Sequence, residues 1–327
     1  MKTIAYASPF VPPEWIAAHG LRPTWLRLRS VDVRPLAGLG RGTCPYAGAM
    51  IDAARSAAGT SALVLTTTCD QMRYAAALID HDGNVPVFLM NVPSTWQTTS
   101  VRQLYLKELV RLGRFLVRLG GMRPEIEDQI RVMLEYDRGR SEVRAVRRRL
   151  SARQLVQAMT ELRGNGKPAI DPRSPASSEN AVPLALIGGP LVKEDGAVFD
   201  LVERAGGCVV LDATEQGERT MPRPFDAKGL QRDPVRELAD AYFGSIPDVF
   251  RRPNTKLYEW LEQEVAARGV RGILFRRYVW CDLWHAELHR LRQRSRVPIL
   301  EIEVADHDVS AISRVRGQIE AFLEMLT

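Results

Sequence analysis

Apolar positions along this chain follow two rhythms. Short, nearly continuous apolar runs occupy Thr3–Ala7, Ala62–Thr66 and Val85–Met90, and later Leu184–Ile187, Cys208–Leu211, Gly272–Phe275 and Pro298–Ile302. Such runs predict strands buried on both faces. Between them the spacing lengthens to that of amphipathic helices. Leu104, Leu109, Leu112, Leu116 and Leu119 form one stripe within Ser100–Leu119, and Ile312, Val315, Ile319, Phe322 and Leu326 form another within Asp308–Leu326. Further helices are predicted at Tyr46–Ala58, Asp70–Ile79, Pro124–Met133, Ser141–Leu162, Ala197–Arg204, Thr255–Ala267 and Asp282–Arg294. Alternating strands and helices predict parallel sheets covered by helices, an α/β fold.

The alternation breaks once. Gly164-Asn165-Gly166-Lys167-Pro168, followed by the Pro- and Ser-rich stretch 171–178, reads as loop or linker. The expected division is therefore an N-terminal α/β domain over 1–165 with a helical extension at 98–163, a linker at 166–182, and a C-terminal α/β domain over 183–327. The restart after the break suggests two related flavodoxin- or Rossmann-like domains facing each other.

Composition adds limits rather than a function. The 327 residues are 45% hydrophobic and 26% charged, enough for a large core. The formal charge is +6, and of 45 basic residues 39 are Arg. A bias of this kind reflects genomic composition more often than a partner, and no nucleic-acid motif accompanies it, so no nucleic-acid partner is expected. The group Arg144, Arg147, Arg148, Arg149 and Arg153 reads first as a solvated helix face, and second as a docking surface for phosphates or an acidic partner. No run reaches the ~18 apolar residues of a membrane helix. The opening Met1-Lys2-Thr3-Ile4-Ala5 reads as a first strand, not a signal peptide. Four cysteines are too few for a disulfide framework in a chain of this length. A cytoplasmic protein with free thiols is the expectation.

Three of those cysteines stand where chemistry is expected. Cys44, Cys69 and Cys281 each follow an apolar or turn segment and open a predicted helix, and Cys69 and Cys281 fall where a strand ends. In a parallel α/β sheet that edge is the ligand-binding edge, and a helix N-terminus stabilises a thiolate. Spacing alone leaves metal binding and plain burial both open, because no CxxC pair is present. Cys208 begins an apolar strand at the opposite end and reads as a buried hydrophobe. Cys281, His285 and His289 share a helix face, but about two turns of helix spread them too far for one ion, so the histidines read as surface residues. Asp70 reads as a cap for the helix after Cys69. Gly188-Gly189-Pro190 and the stretch 212–219 follow strands and can line a cleft, where Arg219 could meet a phosphate or carboxylate.

The surrounding motifs resemble the 2-hydroxyacyl-CoA dehydratase and benzoyl-CoA reductase family over nearly the whole chain. They run from Ser8-Pro9-Phe10-Val11-Pro12-Pro13-Glu14 through Cys44-Pro45, Cys69-Asp70 with Arg73, Val85-Pro86-Val87 and Asn91-Val92-Pro93. They continue to Tyr105, Glu108-Leu109, Cys281, Pro298-Ile299-Leu300-Glu301 and Arg316 with Glu320-Ala321-Phe322-Leu323-Glu324. Within that family the chain resembles the D-component of 2-hydroxyglutaryl-CoA dehydratase. The resemblance implies a 4Fe–4S cluster at the domain interface, held by Cys44, Cys69 and Cys281, with one iron open and Ser8 near it. It implies an iron–sulfur subunit that passes a low-potential electron from an ATP-dependent iron–sulfur activator protein to an acyl-CoA thioester. The outcome would be dehydration, or reduction as in benzoyl-CoA reductase, and a homologous sister subunit or a homodimer would complete the enzyme. Other readings are an ATP-driven reductase of another small molecule and a non-catalytic electron-carrier or scaffold subunit. One departure is visible: no carboxylate lies between Glu14 and Asp32, where the resemblance implies an acid near the cleft.

Overall fold

The computed structural model describes residues 1–31, 42–56, 59–170, 180–305 and 309–327. Its first half runs β1 (Thr3–Tyr6), α1 (Pro13–Ala18), β2 (Arg22–Trp25), α2 (Pro45–Arg55), β3 (Ala62–Thr66), α3 (Asp70–Asp82) and β4 (Val87–Met90). Three helices follow: α4 (Thr99–Arg118), α5 (Ile126–Val146) and α6 (Ala152–Asn165). The second half runs β5 (Val182–Gly188), α7 (Ala197–Arg204), β6 (Gly207–Ala213), α8 (Ala227–Arg232), α9 (Pro234–Ser245) and α10 (Thr255–Ala267). It closes with β7 (Gly272–Tyr278), α11 (Asp282–Arg294), β8 (Ile299–Val304) and α12 (Val309–Leu326). Most of the linker expected at 166–182 lies outside the described residues, as do Asp32 and Asp308.

The α/β expectation is met by two four-stranded sheets, all pairs parallel, in the orders β2-β1-β3-β4 and β6-β5-β7-β8. The two orders are the same pattern used twice. In each, the chain leaves the first strand for one side and returns to pair with it from the other. The reversal opens a crevice at the carboxyl ends of the two central strands. In the first sheet those are β1 and β3, and in the second β5 and β7.

Strand β2 was not foreseen. Its sequence, Arg22-Pro23-Thr24-Trp25, contains a proline, which fits a strand only where no ladder hydrogen bond is asked of its nitrogen. β2 is an edge strand paired with β1 alone, so the position tolerates it. The expected helix Ser141–Leu162 is also divided. The Ser151 hydroxyl accepts from the Gln154 amide at 3.3 Å, while the Gln154 side chain accepts from the Ser151 amide at 2.8 Å. This reciprocal cap starts α6 afresh and ends α5 before a short turn at Arg147–Arg149.

Helices from each half pack on the other. α6 lies against both β2 and β6, and α9 lies against α4 and α5. Leu238, Ala241, Tyr242 and Phe243 of α9 share one core with Ile4, Tyr6, Tyr105 and Leu109. A buried polar knot fixes that contact. Arg140 of α5 donates to Glu14 of α1 at 2.9 Å, and the Tyr242 hydroxyl donates to the other Glu14 oxygen at 2.7 Å. The arginine group 144–153 is likewise anchored in part rather than wholly solvated. Arg147 is buried, pairs with Glu218 at 2.8 Å and donates to the Val210 carbonyl, and Arg144 donates to the Pro222 carbonyl.

Candidate metal centre

The carboxyl ends of β1, β3, β5 and β7 meet at one cleft. It is lined by Ala7 and Ser8 after β1, by Thr66, Thr68 and Cys69 at β3, by Pro190 after β5, and by Tyr278 and Cys281 at β7. Its free volume is about 710 Å³, mouth included. Cys44 reaches the same cleft from the start of α2. The structure thus brings Cys44, Cys69, Cys281 and Ser8 together and leaves Cys208 elsewhere. Cys208 sits at the start of β6, its sulfur 3.9 Å from the Ala181 carbonyl oxygen.

Each of the three cysteines occupies the N-cap of a helix: Cys44 of α2, Cys69 of α3, Cys281 of α11. Cys69 Sγ accepts the Met72 amide at 3.4 Å, so the thiol itself is the cap. Asp70, expected in that role, stands exposed in the first turn beside Arg73, 3.5 Å away. The Cys44 loop is clasped to α3 by Gln71, whose side chain accepts from the Cys44 amide at 3.0 Å and donates to the Gly42 carbonyl at 3.2 Å. The β7 end is held through Tyr278, whose hydroxyl donates to the buried Asp195 carboxylate at 2.6 Å; Arg276 binds the other oxygen of that carboxylate.

Burial pushes all three thiols up, Cys69 and Cys281 to about 12. First-turn amides oppose the shift: those of Ala47 and Tyr46 at Cys44, of Met72 at Cys69, and of Trp284 at Cys281. The charges also feel one another. Cys44 raises Cys69 and Cys281, and Cys281 raises Cys69. Three thiolates are therefore unfavourable here without a cation to balance them, and a metal bound to them displaces their protons.

Among the described residues, no three His, Cys, Asp or Glu side chains converge so as to hold a single ion. A cubane asks for something else, one thiolate at each ligated iron corner, spread around a body. The donor set fits that demand: three thiols from three helix N-termini around one cavity. A further sign is Tyr46, whose hydroxyl is buried on this cleft with no hydrogen-bond partner. A buried hydroxyl left unmatched marks a place meant for something else to fill. Leu65, Met72, Val249, Leu283 and Trp284 supply an apolar wall. His285 and His289 stay exposed on α11, as surface residues.

Arg219 lies behind this wall rather than on it. It is fully buried, pairs with Asp248 at 2.6 Å, and donates to the Ala213 and Pro247 carbonyls. With those partners it holds the cleft wall, and its Nη2 is buried with no hydrogen-bond partner among the described residues. Two acids that sequence reasoning missed do line the cleft, Glu215 and Asp248. Glu215 lies in the stretch after β6 that was expected to reach a cleft. Asp248 follows α9, where no periodic signal pointed to a site.

The fold is of the α/β class, with two four-stranded parallel sheets and three cysteines lining the cleft at their carboxyl ends. The chain belongs to the family described as 2-hydroxyglutaryl-CoA dehydratase, D-component, which matches residues 9–326. Membership suggests a dehydratase-type enzyme subunit and implies an iron–sulfur cluster. No curated protein matches the chain. Among solved structures it is similar to the FpvC protein of Pseudomonas aeruginosa in complex with Mn2+, at 11% identity, covering 100% of this chain and 98% of that one, with a TM-score of 0.27. It is similar also to a periplasmic metal binding protein from Candidatus Liberibacter asiaticus, at 8% identity, full coverage of both chains and a TM-score of 0.27. Likenesses that faint carry no argument.

Proposed function

We propose that this chain is the iron–sulfur subunit of a radical 2-hydroxyacyl-CoA dehydratase or benzoyl-CoA reductase-type enzyme, with Cys44, Cys69 and Cys281 as cluster ligands. The observation that carries the reading is the convergence of those three thiols on one cleft in a chain of this family. When bound, a 4Fe–4S cluster supplies a low-potential electron and one iron that no cysteine holds.

The chain's own residues do the rest. Helix N-termini and first-turn amides favour the thiolate form of each ligand. Gln71 fixes the Cys44 loop relative to Cys69. The apolar wall excludes water from the space where an acyl group would lie, and low-dielectric surroundings tune an electron donor's potential. Ser8 stands on the same cleft with its hydroxyl accepting from the Phe10 amide at 3.4 Å, which leaves its proton free to donate. An ATP-dependent activator, an acyl-CoA substrate and a sister subunit or second copy belong to this reading, as does a cytoplasmic setting. Among the described residues no helix is long and apolar enough to cross a membrane.

The test is anaerobic purification, reduction, and EPR with and without 2-hydroxyacyl- and aromatic acyl-CoA thioesters. The reading predicts a cluster signal that at least one thioester changes. A cluster signal indifferent to every thioester would favour an electron carrier instead.

A further inference from the structure

Three cysteines leave one corner of a cubane without a protein ligand, and the cleft offers oxygen donors that could reach it. Most are already committed. Asp248 is bound on both oxygens, by Arg219 at 2.6 Å and by the Phe250 amide at 3.2 Å. The Thr66 and Thr68 hydroxyls bond each other at 3.1 Å. The Ser8 oxygen accepts from the Phe10 amide at 3.4 Å, which leaves it a proton to donate.

Glu215 is different. Its backbone is pinned, while its carboxyl has no hydrogen bond or ion pair among the described residues. The Glu215 carbonyl accepts from Arg163 and from Thr220, each at 3.1 Å. Arg163 stacks over Trp25 of β2, 4.1 Å from the ring centre, so the Glu215 loop is tied to the first sheet as well as its own. Asp212 winds the loop by accepting from the Thr214 amide at 2.9 Å and its hydroxyl at 2.7 Å. Gly217 is required where the chain folds back: a Cβ there would fall 2.1 Å from the Asp212 carbonyl oxygen.

That fixed loop delivers a carboxyl to the thiols. Glu215 lines the same cleft as Cys44, Tyr46, Cys69 and Cys281, and its charge opposes ionisation of Cys69, Cys281 and Tyr46. The carboxyl is itself pushed up to about 8, by burial first and by Asp248 second. Arg219 and Arg163 oppose that shift without bonding the carboxyl, so no hydrogen-bonded cation balances it among the described residues.

Resting on the three-cysteine reading, we propose that the Glu215 carboxylate is the fourth protein ligand of the cluster, on the iron that no cysteine reaches. An oxygen ligand there holds that corner less firmly than a thiolate would, and it releases its proton to solvent as iron binds.

The experiment compares wild type, Glu215→Gln, Glu215→Cys and Ser8→Ala after anaerobic reconstitution. It measures iron and sulfide content, then the rate at which ferricyanide converts the cluster to the 3Fe–4S form by taking an electron as Fe2+ leaves, followed by EPR. Mössbauer spectra with 57Fe placed in the labile corner give a second readout. Glu215→Gln removes no hydrogen bond among the described residues, so it should assemble the cluster and lose the corner iron on the order of tenfold faster than wild type. Its corner-iron spectrum should shift. Glu215→Cys should lose that iron more slowly than wild type, and Ser8→Ala should match wild type. Wild-type rates and spectra in Glu215→Gln, or a change confined to Ser8→Ala, would overturn the assignment while leaving the three-cysteine reading intact. A wild-type chain that assembles no cubane would overturn both.

Discussion

Replacing Arg140 by methionine tests how the two halves are locked together around the cleft. The Arg140 side chain is 3% exposed and its partner Glu14 is 0% exposed. Burial pulls the Arg140 pKa down, but Glu14 first, then Tyr242 and Asp137, push it up further, so the group stays charged. Arg140→Met keeps much of the stem volume and removes the charge. Glu14 then retains only the Tyr242 hydroxyl, at 2.7 Å, and loses the 2.9 Å bond that neutralised it. Stranding one member of a buried pair costs about 3–5 kcal/mol. Replacing both with apolar residues removes that stranded charge and leaves the Tyr242 hydroxyl unmatched, about 1–3 kcal/mol; the 3.3 Å bond from Arg140 to Asp137 is lost in both variants and cancels between them. The double variant Glu14→Leu/Arg140→Met should therefore be more stable than Arg140→Met alone by about 2 kcal/mol. Urea unfolding of the metal-free chain reads this directly, as midpoint shifts at constant m. An Arg140→Met variant within about 1 kcal/mol of wild type, or a double variant whose loss equals the sum of the two singles, would refute the reasoning.

Gly188 and Gly244 should respond oppositely to alanine. A Cβ at Gly188 would stand 2.1 Å from the Arg276 carbonyl oxygen, where β5 meets β7, whereas nothing lies within 4 Å of one at Gly244 in α9. Gly188→Ala should lose about 3 kcal/mol or more, or fail to accumulate as soluble protein. Gly244→Ala should be neutral or gain up to about 1 kcal/mol; equal urea midpoints for the two would contradict the packing. His19 is buried, with its ring nitrogen 2.7 Å from the Trp15 carbonyl, and burial lowers its pKa despite that bond. Below about pH 6.5 the unfolded chain takes up a proton that the folded chain refuses. Stability should fall as pH drops from there toward the lowered folded value, and His19→Gln should remove that part of the slope. A wild-type slope unchanged by the substitution would assign it to other groups.

Much of this architecture was legible because its signals are local. Ala62–Thr66 is a five-residue apolar run ended by threonines and Cys69, and it forms a strand over that same range. Cys69 and Cys281 sit where strand periodicity gives way to helix periodicity, and that change of rhythm places a residue at the carboxyl edge of a parallel sheet. Strand β2 was hidden by Pro23, which only its edge position excuses. The pairing of Arg219 with Asp248 was not foreseen because Asp248 lies beyond two helices that sequence periodicity did not reveal. Pairing across such a distance is a product of the fold, not of spacing. Glu215 was passed over for the same reason: turn residues such as Thr214 and Gly217 explain the loop, but nothing local shows that the loop points at thiols. No acid stands between Glu14 and Asp32, but the second half of the chain brings Glu215 and Asp248 to the cleft.

The central claim is that Cys44, Cys69 and Cys281 together hold one cubane while Cys208 takes no part. Iron and acid-labile sulfide, measured on anaerobically reconstituted wild type and the four single Cys→Ala variants, test it most directly. The account predicts cubane stoichiometry in wild type and in Cys208→Ala, and loss of the cluster or of its stability in each of the other three. Full and equal cluster content in Cys44→Ala, Cys69→Ala or Cys281→Ala, or loss of iron in Cys208→Ala, would contradict it.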